Sequence, residues 1–451
     1  MIRSYTRIAG IALLLTTAKI SASAQEATPL SMAACMDYAL KHNYTIKNSQ
    51  LDVLIQHAQN NQTLSAAYPH INGKAELDDF LNPTQTFIDG SSFNPSVPKG
   101  TIVPISFSLP YAASASISGS QLLFDGGVFV AVKARNTLME FAKLNGEVTE
   151  ETVRYNVMKA YNSLVIAYRQ YDIVKSSLSY FRSLEHDVIV TQQNGFAEKI
   201  DVERTAVQVN NLATDSMRIA SLLTVSEQML KYQIGMDINT PIVLTDTAVE
   251  ERRQNTIQLL NEEEHYDKVP EYNVVATTLK LNEFNLKRYQ YNAIPSLSIF
   301  GATGYNYASD KFKDVVSFSN YKFNLMAGLL LNIPIYNGSL RQNQVNEEKL
   351  NIEKSRNNMA YMKQAIDFQA ATSRTTLKNA VLQVQSQRRN MALSEDVLDL
   401  ARRKYKAGVG SNLEVTQAQT DLLRAQNNYF SALLDLINAE ADLKKALGLL
   451  K

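Results

Sequence analysis

The sequence of 451 residues contains no tryptophan, one cysteine, 17 glycines and 11 prolines. A single cysteine excludes both a disulfide framework and a cysteine-ligated metal cluster. The small number of glycines and prolines argues against an all-β protein, which needs many turns. With 45 basic and 44 acidic residues, the chain also lacks the excess positive charge that binds nucleic acid. These absences leave a protein of long helices as the first expectation.

No apolar run of about 18 residues follows the N-terminal segment, so no transmembrane helix is predicted. In that segment two arginines precede an apolar run over residues 8–15, and small residues follow it. This order is typical of a signal peptide, predicted as residues 1–24, so we expect the mature chain to be exported. Cys35 leaves a lipid anchor open, but a helix capped by Ser31 favours a cysteine packed inside that helix.

The chain is an internal duplication, because three segments recur at nearly the same distance. They are 123–127 with 335–339, separated by 212 residues, and 194–202 with 407–415 and 230–235 with 443–448, separated by 213. Each copy is predicted to run helix, strand, loop, strand, very long helix, turn and helix. The predicted organisation is a first repeat over 25–240, a linker over 241–268 and a second repeat over 269–451.

Apolar residues recur every seven positions in the predicted helical hairpins, residues 127–235 and 339–448. Large apolar residues on one heptad position and alanines on another are typical of closely approaching coiled-coil helices. The alternative, an amphipathic helix on a globular core, needs a wider apolar face. At 1.5 Å per residue, the helix over 128–193 would be on the order of 100 Å long. The stripes are Leu377, Val384, Met391, Leu398 and Tyr405; Val415, Leu422, Tyr429, Leu436 and Leu443; Ala418, Ala425, Ala432, Ala439 and Ala446; Val153, Ala160, Ala167, Val174, Phe181 and Val188; and Ala206, Ala213 and Ala220.

Four segments alternate between apolar and polar residues with period two and are predicted strands, residues 69–81, 108–124, 295–308 and 321–336. Each is long enough for a tilted transmembrane β-strand, although a soluble sheet would look the same locally. Four strands leave open edges that a bilayer does not tolerate, so copies of the chain must close a barrel together. Two copies give eight strands and a filled interior, whereas three give twelve and a passage. The loops 82–107 and 309–320 are then expected outside the cell.

Taken together, these motifs resemble the outer-membrane efflux protein family, the TolC-like export ducts. The resemblance covers nearly the whole mature chain and rests on residues 31–43, 122–127, 333–338 and 404–419. It implies a mainly α fold with β: a coiled-coil tunnel through the periplasm and a transmembrane β-barrel, with four strands per chain and twelve in a homotrimer. It also implies a periplasmic adaptor, an inner-membrane pump of the RND or ABC type, and contact with outer-membrane lipid.

The resemblance also assigns roles to the two helical turns. It implies adaptor-docking tips and a periplasmic gate lined by carboxylates, with Glu414 in the first gate position. The second gate position holds Gln417, and the basic residue that braces the family's closed gate falls on Gly410. A solvated Glu at a helix start is the alternative for Glu414. The implied gate residues are Glu414, Gln417 and Asp201, and the implied tip residues are Gly195, Phe196, Tyr405, Gly408, Val409, Gly410 and Ser411.

No enzymatic activity and no cofactor or metal are expected from this sequence. Its five histidines show no metal-ligand spacing, and no phosphate-binding glycine motif is present. The run Glu262–Glu264 beside His265 is interpreted as part of a solvated linker. The expected function is the exit duct of a tripartite efflux or type I secretion system, passing small molecules or proteins. The alternatives are a passive porin and a structural coiled-coil protein of the outer membrane.

Overall fold

The computed structural model describes residues 28–106, 108–245, 256–317 and 320–450. The predicted signal peptide, residues 1–24, and residues 246–255 of the predicted linker lie outside the described residues. The helices are α1 (Met32–His42), α2 (Tyr44–Ser65), α3 (Gly126–Gln193), α4 (Lys199–Ile234), α5 (Thr256–Leu260), α6 (Pro270–Tyr291), α7 (Phe312–Val316), α8 (Leu340–Lys406) and α9 (Asn412–Ala446). The strands are β1 (Thr28–Leu30), β2 (His70–Asp79), β3 (Gln85–Asp89), β4 (Ile102–Ser106), β5 (Tyr111–Phe124), β6 (Ile242–Leu244), β7 (Ser296–Ser309) and β8 (Lys322–Asn332).

The chain divides into two compact units, and each unit draws on both sequence repeats. Among the residues that the structure describes, the helical unit consists of those in the ranges 28–43, 156–257 and 380–438. The sheet unit consists of the described residues in the ranges 44–155, 258–379 and 439–450. The duplication therefore describes the order of elements along the chain, whereas the units combine equivalent elements of the two copies.

The helical unit is built on apolar side chains from α3, α4, α8 and α9. Its core comprises Val174, Leu178, Phe181, Leu184, Val188, Leu212, Ile219, Leu398, Ala401, Val415, Ala418 and Leu422. Helix α1 joins the same unit, and its first turn is capped by the Ser31 hydroxyl, which accepts a hydrogen bond from the Ala34 N–H at 3.1 Å. Cys35 is fully buried in this helix, as the packed-cysteine interpretation predicts. Burial raises the pKa of its thiol to about 11.

The heptad stripes predicted on α3 and α9 are buried at every position. The stripe predicted on α8 is buried at Leu377, Val384 and Leu398 and half-buried at Met391 and Tyr405. Burial on α4 differs from the prediction by one residue. The structure buries Thr205, Leu212 and Ile219, and leaves the predicted stripe of Ala206, Ala213 and Ala220 half-buried. Leucine and isoleucine remove more apolar area from water than alanine, which favours the observed face.

The sheet unit contains a four-stranded antiparallel sheet in the order β2-β5-β7-β8. Strand β5 pairs with β2 through Ala115 opposite Ala75, and with β7 through Ala115 opposite Tyr305. Strand β7 pairs with β8 through Tyr305 opposite Phe323, whose rings lie 5.4 Å apart. Within the described residues β2 and β8 are the two edges of this sheet.

The register places the alternating apolar residues of all four strands on one face. Apolar or small residues occupy that face almost throughout, and Thr303 and Gln121 are polar exceptions on it. The opposite face carries most of the serines, asparagines and charged residues. Several large side chains on the apolar face are exposed, including Leu325 at 74 % and Leu329 at 66 %. The apolar face comprises Ile71, Gly73, Ala75 and Leu77; Ala113, Ala115, Ile117 and Gly119; Leu297, Ile299, Gly301 and Tyr305; and Phe323, Leu325, Ala327, Leu329 and Leu331.

The connections at the far ends of the strands contain secondary structure that the prediction of loops did not include. Residues 82–107 contain the hairpin β3–β4, and residues 309–320 contain the short helix α7. Strand β8 ends at Asn332 instead of the predicted 336. Pro334 explains the earlier end, because proline has no N–H with which to extend the strand ladder. Within the described residues no helix is long and apolar enough to cross a membrane.

The predicted linker is more ordered than a solvated segment. Residues 242–244 form β6, which pairs in parallel with β1 in the helical unit. In the sheet unit, Arg374 of α8 donates to the Glu264 carboxylate and to the backbone carbonyl of Glu262. The interpretation of the run Glu262–Glu264 as fully solvated is therefore wrong for Glu264, because its carboxylate forms an ion pair with a distant helix.

Candidate functional site

The two turns between the long helices have the same backbone geometry. After α3, the N–H of Phe196 donates to the carbonyl of Thr191 at 3.0 Å; after α8, the N–H of Val409 donates to the carbonyl of Lys404 at 3.1 Å. The glycines before these donors have positive φ angles, 79° at Gly195 and 74° at Gly408. This is the Schellman motif, in which a left-handed residue ends the helix. The duplication thus includes the hydrogen bonds of the turns.

Large apolar side chains lie exposed on these turns. Phe196 is 85 % exposed and Val409 is 78 % exposed. Each of these side chains follows the glycine that ends its helix, so the conformation of the turn determines its position. Gly410 is close-packed, because a Cβ atom there would lie 2.9 Å from the Cβ of Lys404. A rigid turn that carries an exposed apolar side chain is suited to contact with another protein.

The predicted gate residues of the second turn lie at the start of α9. Ser411 caps this helix, because its hydroxyl accepts a hydrogen bond from the Glu414 N–H at 3.2 Å. The Glu414 and Gln417 side chains are exposed, and the Gln417 amide donates to the carboxylate of Asp421 at 3.1 Å. These three side chains line a groove of about 460 Å³ between α8 and α9, together with Val397, Leu400, Ala401, Lys404, Leu413 and Ala418. The groove combines two carboxylates with an apolar floor, and Asp421 was not among the predicted gate residues.

Asp201, the third predicted gate residue, lies in a different environment. It is close enough to Tyr405 that its negative charge helps to hold the pKa of that phenol above the usual value, second to the effect of burial. Its backbone carbonyl accepts hydrogen bonds from the Thr205 hydroxyl at 2.8 Å and from the Asn412 amide at 3.4 Å. Asp201 therefore belongs to a buried polar contact between α4 and α9.

A second contact between the hairpins involves an arginine that the sequence analysis missed. The guanidinium of Arg402 lies 4.1 Å from the centre of the Tyr180 ring, a cation–π arrangement. It also donates to the side-chain oxygen of Gln419 at 2.8 Å. Arg402 thus connects α8 to α3 and to α9. The sequence gives no local signal for this contact, because Tyr180 and Gln419 are distant from Arg402 along the chain.

Within the described part of the chain, no group of three or more His, Cys, Asp and Glu side chains is placed to hold a metal ion. The features that the site does offer are exposed apolar side chains on rigid turns, a groove with carboxylates, and polar contacts that tie the hairpins together. These features suit protein docking and the attraction of cations.

Comparison with known proteins gives matches of two kinds. Residues 290–449 match the model of a family described as outer membrane efflux protein. Over 120 residues the chain is 31 % identical to the probable efflux pump outer membrane protein TtgC of Pseudomonas putida and to the toluene efflux pump outer membrane protein TtgC of another strain of that species. Each match covers 26 % of this chain, and the chain spans about a quarter of the length of these curated relatives, 24 %.

Solved structures share the fold over nearly the whole chain. The outer membrane protein VceC of Vibrio cholerae has a TM-score of 0.67 at 14 % identity, covering 92 % of this chain and 96 % of VceC. The CmeC outer membrane channel of Campylobacter jejuni has a TM-score of 0.68 at 17 % identity, covering 92 % and 85 %. CusC, whose structure is described in terms of transmembrane channel formation, has a TM-score of 0.69 at 18 % identity, covering 92 % and 91 %.

Proposed function

We propose that the chain is the exit duct of an efflux or secretion system, on the ground that residues 290–449 match the outer membrane efflux protein family. The match confirms the resemblance that the sequence motifs predicted. We therefore place the chain in the outer membrane with a role in transport, a proposal that the family match over residues 290–449 supports.

The observation that carries the proposal is the register of the four-stranded sheet. One face is apolar across all four strands, and the edge strands β2 and β8 are unpaired within the described residues. Lipid hydrocarbon offers no hydrogen-bond partner to such edges, so in a bilayer they must pair with other strands. Three copies supply twelve strands and an interior wide enough for a passage. We propose this homotrimeric barrel, with its apolar face toward lipid.

We propose that the helical hairpins form a tunnel in the periplasm and that their turns dock a periplasmic adaptor. The exposed side chains of Phe196 and Val409 provide apolar contacts, and Gly195 and Gly408 fix the turns that carry them. Tyr405, Gly410 and Ser411 complete the proposed docking tips. An inner-membrane pump of the RND or ABC type would supply the substrate. The Pseudomonas putida relatives are efflux pump proteins by name, which supports efflux over a passive porin.

The proposed gate is a ring of carboxylates formed by Glu414 from three copies. Glu414 is exposed at the start of α9 and shares its groove with Asp421, so the ring would attract cations. Gln417 carries no charge, and its side-chain amide donates hydrogen bonds to the Asp421 carboxylate. Asp201 contributes through the contact between α4 and α9. The gate therefore depends on Glu414 for its charge.

Conductance of the purified protein in planar lipid bilayers tests this function. We expect a trimer by native mass spectrometry and a channel that favours cations over anions. Absence of any conductance by a well-folded trimer would overturn the duct and support the structural coiled-coil protein. Cross-linking from residue 196 or 409 to an adaptor in cells distinguishes a pump duct from a passive porin.

The variant Glu414→Gln tests the gate separately from the duct. We expect normal trimers with reduced preference for cations. The matched control is Glu263→Gln, which neutralises an exposed carboxylate in the sheet unit and should leave selectivity unchanged. Equal selectivity in both variants would show that Glu414 does not line the constriction.

A further inference from the structure

Glu151, on α3 in the sheet unit, is a buried carboxylate whose hydrogen-bonding capacity is not fully satisfied. The residue is 4 % exposed, and its Oε2 atom has no hydrogen-bond partner. A neighbouring arginine on the same helix does not neutralise it, because Arg154 pairs with Glu150 at 2.6 Å. Ionised carboxylates avoid such sites unless they are paired, since burial removes their hydration.

A second carboxylate, Glu271 of α6, is close enough to Glu151 to influence its ionisation. Repulsion by its negative charge and a hydrogen bond between the two side chains both disfavour ionisation of Glu151. Lys445 of α9 opposes this effect, and its ammonium lies 5.0 Å from the centre of the Tyr155 ring. Burial is the largest influence, and together these raise the pKa of Glu151 to about 7.

A cavity borders each member of the pair. One cavity, of about 440 Å³, is lined by Glu151 and by residues of α3, α6 and the turn Tyr266–Lys268. Another, of about 470 Å³, is lined by Glu271 and by residues of α8 and α9. Protons can therefore exchange with the solvent. The charged and titratable groups around the pair are Glu147, Glu150, Arg154 and Tyr155 of α3, Asp267 and Lys268 of that turn, and Asp442 and Lys445 of α9.

We propose that Glu151 retains a proton beside the Glu271 carboxylate and thereby forms a pH-sensitive joint between α3, α6 and the end of α9. With the proton bound, the Glu151 carboxyl is neutral and donates to the Glu271 carboxylate, which holds the helices together. When the proton is lost, two like charges lie adjacent in a buried site and repel each other. The joint is a property of the chain's own fold and does not depend on the proposed export function.

The sign of the pH dependence follows from the raised pKa. The ordinary pKa of 4.5 rises to about 7 in the folded chain. The stabilisation is therefore fully present below the unfolded value and is lost as pH rises through the folded value. Acid tightens the joint and alkali loosens it, which is opposite to the acid-labile behaviour of an ordinary carboxylate ion pair.

Hydrogen–deuterium exchange of the full-length protein in detergent tests the joint, with rates corrected for the intrinsic effect of pH. In the wild type we expect protection of residues 147–155 and 270–275 to fall about tenfold or more as pH rises through the folded value. Glu151→Gln should keep its protection at high pH. The control Glu147→Gln changes an exposed residue on the same helix and should keep the wild-type pH dependence.

Two results would overturn the joint. One is a wild-type protein with pH-independent protection in both segments; the other is a Glu151→Gln variant with the same pH profile as Glu147→Gln. If Glu151→Gln does not fold, Glu271→Gln provides the same test, because either amide removes one charge of the pair. If neither amide variant folds, the wild-type profile decides.

Discussion

The side-chain amide of Asn412, in the first turn of α9, donates a hydrogen bond to the hydroxyl of Thr205 on α4 at a distance of 3.1 Å. Thr205 is fully buried, and Asn412 is 6 % exposed. The Thr205 hydroxyl in turn donates a hydrogen bond to the backbone carbonyl of Asp201. The second hairpin is thus tied to the first by a buried polar chain next to their turns.

Asn412→Ala should lower the free energy of unfolding by about 1–3 kcal/mol, because it removes a buried partner of Thr205. Hydrogen exchange should rise in residues 199–206 and 412–418 and can be measured in the purified protein. Gln417→Ala is the matched control, because Gln417 is exposed on the same helix and bonds to Asp421. The control should change the unfolding free energy by less than about 0.5 kcal/mol. Equal losses in the two variants would contradict the structural role of Asn412.

Glycine is required at the two turns because of the backbone conformation, and not because a side chain would collide with a neighbour. Nothing lies within 4 Å of a Cβ added to Gly195 or Gly408, but both have positive φ. Alanine at either position should therefore cost about 1–2 kcal/mol, the strain of a left-handed residue. Asparagine tolerates this conformation better, so Gly408→Asn should recover part of the loss in melting temperature.

Gly410 provides the control for this argument. Its φ is not in the positive range, and its added Cβ would collide with Lys404. Gly410→Asn should therefore be no better than Gly410→Ala. If asparagine recovered the melting temperature equally at Gly408 and Gly410, the positive φ of Gly408 would not be the reason for its glycine.

The periodic parts of the fold could be predicted from the sequence because their signals are local. Alternation with period two predicts the strands, and β7 begins at Ser296 and ends at Ser309, within a residue of the predicted 295–308. Heptads predict the buried faces of α3 and α9. The hairpin β3–β4 was missed because Pro104 lies inside β4, opposite Phe87, and proline argues against a central strand.

Contacts between distant residues could not be predicted in the same way. Asn412 and Thr205 are 207 positions apart, and Arg374 and Glu264 are 110 apart. No periodicity connects such pairs, because their meeting depends on how the helices pack. The carboxylate pair of Glu151 and Glu271 has the same origin, since Glu151 looks like one surface residue among several on a charged segment of α3.

Tight approach of strands β5 and β7 makes Gly304 irreplaceable in the sheet. A Cβ at this position would lie 2.4 Å from the carbonyl oxygen of Ala115 and 2.8 Å from the Cα of Ser116. Both contacts are with backbone atoms, so the strands must separate to admit a methyl group. Gly304→Ala should cost about 1–3 kcal/mol, as overpacking does, and reduce the amount of folded protein in the membrane.

Gly73 is the matched control in the same sheet. It lies in edge strand β2, and a Cβ added there meets nothing within 4 Å. Gly73→Ala should be neutral or slightly stabilising, because alanine has less conformational freedom to lose on folding. The folded fraction of each variant can be measured by thermal unfolding in detergent. A loss in Gly73→Ala as large as that in Gly304→Ala would contradict the register of the sheet.

The ion pair of Arg374 with Glu264 should respond to pH in the opposite direction to the joint at Glu151. The hydrogen bond from Arg374 is the main reason that the pKa of Glu264 lies below its ordinary value of 4.5. Its stabilisation is therefore present above that value and is lost as pH falls through the lower folded value. Exchange in residues 262–268 should increase in acid, and Arg374→Ala should produce the same increase at neutral pH.

Arg356→Ala, which removes an exposed arginine from the same helix, should leave exchange in this segment unchanged. Because Arg374 also donates to the carbonyl of Glu262, Arg374→Ala should raise exchange more than Glu264→Gln, which retains that second bond. Protection from exchange in segment 262–268 is then predicted to fall at low pH, whereas protection at the Glu151 joint rises. One series of exchange measurements across pH therefore distinguishes the two sites. If both segments changed protection in the same direction, at least one of the two carboxylate assignments would be wrong.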